Sequence, residues 1–207
     1  MPVDLSRLPL PGQEVELFRI LKSKAFLERR GISNEVPIFI YPYPPDQARQ
    51  VAEMCRRIQD KLRTEAGVRV LEINLYDIAL DILADMGALD DLEDVEPTLT
   101  KGDFREALQG VLDPVNDLLP MIRARIKANP DAQILFLTGI GEVYPYIRSH
   151  NVLTALHNVV RDVPLLAWFP GTYQESATRG SSLVLFGLGG DEKYYRARDI
   201  RFWEVNP

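Results

Sequence analysis

Cysteine and histidine are scarce in this chain of 207 residues, which has one cysteine, Cys55, and two histidines, His150 and His157. A single cysteine excludes an intrachain disulfide framework and is typical of a reducing compartment, so we expect the cytoplasm. Two histidines cannot form a three-histidine site, and on a helix a spacing of seven would place them roughly 10 Å apart. We therefore expect no metal, and we predict that Cys55 is a buried, unreactive core residue.

Long apolar runs and an excess of positive charge are also missing. No segment approaches the roughly 20 apolar residues that a membrane helix needs, and the first residues lack the pattern of a secretory signal. We expect no membrane association. The formal net charge is -6, which argues against a basic surface, so direct nucleic-acid binding is not expected.

Lysine and arginine are absent from residues 70–100, a segment with nine acidic residues and hence a local charge of -9. Two sets of aspartates stand out in it: Asp77, Asp81, Asp85, then Asp90, Asp91, Asp94. The first set has a spacing of four, which stacks like charges on one face of a helix. Two interpretations stay open: a solvated helix followed by a polar loop, or a docking surface for a basic partner.

The motifs of common α/β enzymes are absent as well. No glycine is followed directly by lysine, which excludes a P-loop, and three prolines at 42, 44 and 45 remove backbone donors after the first expected strand. Residues 139–144 lack the third glycine of a dinucleotide fingerprint, and no Gly-x-Ser-x-Gly elbow is present. A nuclease site built from Asp131 with residues 191–193 is a weaker alternative. We expect no catalytic residues, no cofactor and no ATP hydrolysis.

Short apolar runs that alternate with segments of helical spacing predict the fold class. The runs expected as buried strands are 36–41, 68–73, 134–137, 163–169 and 183–186. Strands alternating with helices indicate one α/β domain over residues 1–207, with three layers and a mostly parallel sheet of about five strands. Residues 1–12 are expected to be a flexible or extended segment.

Helix boundaries follow from residues that cap helices. Asp113 before Pro114 predicts a helix start, and residues 103–106 have capping-box spacing with Asp103 first. Gly67 and Gly87 are placed where helices are expected to end.

Polar and aromatic residues follow the expected strand ends, where parallel α/β sheets bind ligands. The candidates there are Tyr43, Glu142, Tyr144, Arg148, His150, Tyr173. Residues 142–150 form the densest group, and an ion pair of Arg148 with Glu142 that braces the loop is as plausible as a binding role.

The run 135–153, LFLTGIGEVYPYIRSHNVL, resembles the signature stretch of the BrxB family, small proteins of BREX phage-defence operons. Shorter segments resemble the same family: 36–40 with the following Tyr-Pro, 71–77, 109–114, 169–173 and 193–197. The resemblance covers about residues 14 to 200. The first dozen residues and the acidic stretch after Gly87 carry none of it.

The resemblance implies a non-enzymatic assembly or recruitment subunit whose partner is a PglZ-type protein of the same operon, with other BREX subunits as further partners. It also implies a sheet reminiscent of P-loop ATPases that lacks the phosphate loop, and it transfers no catalytic residues. The acidic residues and the strand-end residues named above form the candidate interaction surface. The alternative is a degenerate nucleotide- or nucleic-acid-binding protein that uses the strand-end loops.

Overall fold

A computed structural model describes residues 4–29, 37–157, 159–160, 162–176, 180–188, 192–193 and 197–203. The strands are β1 (Ile38–Tyr43), β2 (Val70–Asn74), β3 (Ile134–Thr138), β4 (Leu165–Ser176), β5 (Gly180–Leu185), β6 (Glu192–Lys193) and β7 (Arg198–Asp199). The helices are α1 (Leu10–Leu21), α2 (Lys24–Leu27), α3 (Ala48–Glu65), α4 (Leu75–Asp85), α5 (Leu92–Val95), α6 (Lys101–Val111), α7 (Leu119–Ala128) and α8 (Ser149–Leu156). No helix within these ranges is long and apolar enough to cross a membrane.

The central sheet has five parallel strands in the order β2–β3–β4–β1–β7. Ala167 of β4 shows the register at the centre of the sheet. It lies opposite Ile40 of β1 on one side and Leu137 of β3 on the other. Beyond the sheet, β4 continues into an antiparallel ribbon with β5 and β6. The prediction of an α/β fold with a mostly parallel sheet of about five strands is confirmed. The strand expected at 183–186 is present as β5, but it pairs antiparallel with β4, and the fifth parallel strand is the two-residue β7.

Alternating side chains of β1 divide the core into two layers. Ile38 and Ile40 pack into the cluster that contains the buried residues of α4, α6, α7 and α8. Phe39 and Tyr41 point to the opposite face, where the cluster contains the buried residues of α1 and α3. Both faces of the strand are therefore buried, which explains its nearly continuous apolar sequence.

The structure confirms two of the capping predictions and corrects the third. The Asp113 carboxylate accepts hydrogen bonds from the backbone N–H groups of residues 115 and 116, and Gly67 and Gly87 adopt φ of +64° and +68°. The prediction for Asp103 is wrong. Thr100 is the N-cap of α6, because its Oγ1 accepts from the Asp103 N–H at 3.2 Å and donates to the Asp103 carboxylate at 2.7 Å.

The first described residues form a short 3₁₀ turn and the start of a helix. A 3₁₀ turn covers Leu5–Arg7, and α1 begins at Leu10. Leu5 is buried in the α1–α3 cluster, which holds this segment against the domain. The expectation of an extended or flexible segment is therefore wrong for residues 4–12.

Glu14 of α1 is a buried carboxylate that contacts two cations of α3. It accepts hydrogen bonds from Arg57 Nε at 3.0 Å and Lys61 Nζ at 2.7 Å. Burial alone raises the pKa of the Glu14 carboxyl, but the hydrogen bonds from Arg57 and Lys61 outweigh it and hold the pKa below its ordinary value of 4.5. A lowered folded-state pKa means that this stabilisation is complete above 4.5 and is lost as the pH falls through the folded-state pKa.

Glu14→Gln is therefore expected to lower the free energy of unfolding by about 1–2 kcal/mol at neutral pH, because two charge-assisted hydrogen bonds are weakened. The difference from the wild type should shrink once the pH falls below 4.5. Urea unfolding at neutral and acidic pH measures both values. A difference that stays constant with pH would show that the charge of Glu14 contributes nothing.

Candidate functional site

Three strand ends of the parallel sheet border a cavity beside α3, which we call the strand-end cavity. Tyr43 of β1, Asn74 of β2 and Thr138 of β3 all line it, and its volume is about 350 Å³. Glu142 lines it as well, so two of the candidates from the sequence, Tyr43 and Glu142, are brought together here. Burial raises the pKa of the Tyr43 phenol, and Glu142 adds to the shift, so this hydroxyl stays protonated.

Glu72 also lines this cavity, and hydrogen bonds from two side chains fix the position of its carboxylate. Its carboxylate accepts hydrogen bonds from Gln59 Nε2 at 2.8 Å and from Thr138 Oγ1 at 2.7 Å. Sequence reasoning counted Glu72 only as one charge of the acidic segment. An acidic residue between the apolar Leu71 and Ile73 of a strand was the signal that could have identified it.

Cys55 lies on the cavity side of α3, and the prediction that it is buried is confirmed. The residue is 4% exposed. Burial raises the pKa of the Cys55 thiol to about 12, which leaves almost no thiolate at neutral pH. We expect native protein to react with a thiol reagent much more slowly than urea-unfolded protein, and equal rates in the two states would contradict this.

The turn after β3 is locked to the start of α4. Gly139 has a φ of +74°, and a Cβ there would overlap Asn74 Oδ1 and lie 3.0 Å from two backbone nitrogens of α4. Asn74 is the N-cap of that helix, because its Oδ1 accepts a hydrogen bond from the Tyr76 N–H at 2.9 Å. Further along the turn, Ile140, Val143 and Ile147 are buried in the core. The turn therefore has a fixed path from Gly139 to Ile147.

A second depression, which we call the Phe104 groove, separates this turn from the segment that joins α5 to α6. Its volume is about 560 Å³, and its lining includes Leu99, Phe104, Pro145 and Tyr146. The Phe104 and Tyr146 rings meet edge to face with their centroids 6.2 Å apart. Gln109 of α6 donates a hydrogen bond to the Pro145 carbonyl at 2.9 Å, which joins the two walls.

The Phe104 groove connects regions that are far apart in sequence. Glu96, the last acidic residue of the segment 70–100, lines it, and Tyr144 is exposed on the turn that contributes Pro145 and Tyr146. The edge of the Tyr144 ring contacts Phe186, with the centroids 5.9 Å apart. The acidic segment and the turn therefore border one surface.

The six aspartates of the candidate surface are all exposed, but they are not equivalent. Asp81 of α4 forms an ion pair with Arg125 of α7, so its charge is partly neutralised. Asp77 and Asp85 lie on the same helix. Asp90 and Asp91 precede α5, and Asp94 lies within it. The second set of aspartates therefore lies nearest in sequence to the groove residue Glu96.

The remaining candidates occupy different environments. Tyr173 is only 5% exposed, and its hydroxyl donates a hydrogen bond to the Ala197 carbonyl at 2.6 Å. Its place on the interaction surface is therefore wrong: on β4, Tyr173 points into the core. Arg148 is exposed just before α8, and His150 is partly buried in the first turn of that helix. An ion pair of Arg148 with Glu142 stays a prediction.

Within the described ranges, no group of three His, Cys, Asp or Glu residues is close enough to hold a metal ion. Asp131, from the nuclease alternative, forms an ion pair with Arg69. Its proposed companion Asp191 lies outside the described residues.

Comparison with known proteins gives one family. The family model described as "BREX protein BrxB" matches residues 71–200. A BREX protein BrxB of Bacillus cereus (strain H3081.97) is 38% identical over 189 residues, covering 88% of this chain and 92% of the relative. A second BREX protein BrxB, from Escherichia coli O9:H4 (strain HS), is 29% identical over 173 residues, covering 83% and 82%. No solved structure matches. From the family match and the extent of these similarities, the chain belongs to the BrxB family.

Proposed function

We propose that this chain is a non-enzymatic assembly or recruitment subunit of a BREX phage-defence complex, and that it binds the PglZ-type protein of the same operon. Membership of the BrxB family supports the role in BREX. The observation that carries the assembly role is the Phe104 groove, a depression of about 560 Å³ in which Leu99, Phe104 and Tyr146 lie among the charged residues Glu96, Lys101 and Arg105. Exposed apolar surface of this kind, rimmed by polar residues, marks protein interaction sites.

The acidic segment that leads into the groove defines the charge of the partner there, while the groove itself also has the basic residues Lys101 and Arg105. The segment that leads into it carries Asp90, Asp91, Glu93, Asp94 and Glu96 without a basic residue, and all five are exposed. A complementary partner segment presents an apolar side chain for the groove and lysine or arginine residues for the acidic residues 90–96. Burial of one large apolar side chain contributes about 1.5–3 kcal/mol, while the charges mainly increase the association rate.

The turn after β1 supports a role without catalysis. In a P-loop protein the first strand and its helix are joined by a glycine-rich loop. Here β1 is followed by Pro44 and a 3₁₀ turn, Pro45–Gln47, before α3 begins. The absence of ATP hydrolysis stays a prediction.

The proposal is tested by co-purifying the tagged chain with the PglZ-type protein at low and high salt. The triple variant Asp90→Lys, Asp91→Lys, Asp94→Lys should capture less partner. Its melting temperature should be unchanged or slightly higher, because exposed charges contribute little to stability and like-charge repulsion is relieved. Capture by the wild type should fall as salt rises.

The matched control reverses three exposed acidic residues on or just before α3, Asp46→Lys, Glu53→Lys and Glu65→Lys. It makes the same change in net charge and should leave capture intact. Equal, salt-insensitive capture by wild type and the first triple variant would remove residues 90–94 from the interface.

A further inference from the structure

The strand-end cavity lies where open α/β sheets bind small molecules. It is bordered by the carboxyl ends of β1, β2 and β3, and such sheets bind ligands just beyond these ends. Its volume of about 350 Å³ falls within the range of small-molecule sites. The Phe104 groove lies on the α6 side of the sheet, so a ligand in the cavity would not fill the groove.

Two arginines of α3 line the cavity and have no carboxylate partner among the described residues. The helix has four arginines: Arg49, Arg56, Arg57 and Arg63. Arg57 pairs with Glu14, and Arg63 pairs with Asp60. Arg49 and Arg56 line the cavity, and neither forms an ion pair with a described residue. A spacing of seven residues places them roughly 10 Å apart along the helix, but arginine side chains are long enough to converge on one phosphate, to whose oxygens each guanidinium can donate two parallel hydrogen bonds.

The cavity lining also contains the indole ring of a tryptophan. Trp168 of β4 lines the cavity and is 3% exposed. Its indole Nε1–H has no hydrogen-bond partner in the part of the chain that the structure describes. Buried polar groups are normally satisfied, but the Nε1 atom itself is buried, so this N–H does not face a ligand in the cavity and the indole contributes only its ring.

The cavity lining also contains two carboxylates, Glu72 and Glu142. Glu72 is held by Gln59 and Thr138, and its remaining lone pairs can accept from an amino or hydroxyl group. Tyr43 adds an aromatic ring to the lining, and nucleic-acid bases stack on such rings. The lining thus combines donors for an anion, an acceptor for a polar ring or sugar, and an aromatic surface.

We infer that the strand-end cavity binds a nucleoside phosphate, with its phosphate against Arg49 and Arg56 and its nucleoside donor groups on Glu72. This inference does not depend on the proposed docking role. It concerns binding alone, and no hydrolysis is included.

The test is a titration of the full chain with ADP, AMP, adenosine and inorganic phosphate. The melting temperature and the tryptophan fluorescence are measured at each ligand concentration. ADP or AMP should raise the melting temperature by several degrees at saturation, and adenosine or phosphate alone should bind at least about ten-fold more weakly. The variant Arg49→Gln, Arg56→Gln should bind ADP at least about ten-fold more weakly. Its fold should be intact, because both side chains are exposed.

Two further variants keep the test specific. Arg63→Gln with Arg123→Gln removes the same charge at exposed positions outside the cavity and should bind ADP normally. Trp168→Phe retains an aromatic ring and removes an N–H that does not face the cavity, so it should also bind ADP normally. No stabilisation by any nucleotide, equal binding of inorganic phosphate and ADP, or unchanged affinity in Arg49→Gln, Arg56→Gln would each overturn the inference.

Discussion

Replacing Leu99 by glutamate is expected to weaken capture of the PglZ-type partner by at least about ten-fold, which corresponds to about 1.4 kcal/mol of binding free energy. Leu99 lines the Phe104 groove and is 37% exposed. The substitution removes the apolar contact with the anchor of the partner, and the new carboxylate would lose part of its hydration on binding. Stability should change by no more than about 0.5 kcal/mol, because the side chain is on the surface.

The control for this experiment is Val15→Glu on α1. Val15 is 61% exposed and lies on the helix that packs on the other face of the sheet. It introduces the same charge at an apolar surface position. Equal capture by Leu99→Glu and Val15→Glu, with both proteins folded, would exclude the Phe104 groove as the docking site.

Replacing Gly139 by alanine is expected to lower the free energy of unfolding by about 2–4 kcal/mol. A positive φ costs a residue with a Cβ roughly 1–2 kcal/mol, and Gly139 has a φ of +74°. The new methyl would also overlap Asn74 Oδ1 and disturb the N-cap of α4, whose loss costs about 0.5–2 kcal/mol. The melting temperature should fall by roughly 4–16 °C.

Two other glycines separate the causes of this loss. At Gly87, φ is +68° but an added Cβ meets nothing within 4 Å, so alanine there reports the backbone strain alone. At Gly110 in α6 an added Cβ also meets nothing, and alanine should stabilise the helix by about 0.5–1 kcal/mol. A Gly139→Ala variant no less stable than Gly87→Ala would show that the contact with Asn74 is not tight.

The parallel core of the fold was predictable because burial on both faces leaves a simple trace in the sequence. Residues 134–137 are apolar throughout, and they became β3 with the addition of Thr138. The strand β7 leaves no such trace, because it contributes only Arg198 and Asp199 and pairs with β1 through two residues. Its identity depends on contacts with a distant strand rather than on its own pattern.

The candidate sites were predictable only in part, for the same reason. Tyr43 and Glu142 were found because polar residues after strand ends meet at one edge of a parallel sheet. Tyr173 follows the same pattern but continues an extended strand, so its side chain turns into the core. The Phe104 groove needs Phe104 and Tyr146 to lie side by side, and nothing in the local sequence of either residue indicates the other.

The central claim is that this chain binds its BREX partner through the Phe104 groove and the acidic residues beside it. Hydrogen–deuterium exchange of the chain alone and mixed with the PglZ-type protein tests it most directly. We predict slower exchange on mixing in residues 90–105 and 144–147, with unchanged exchange in α3. Protection confined to α3 or α1, or exchange that does not change anywhere on mixing, would contradict the account.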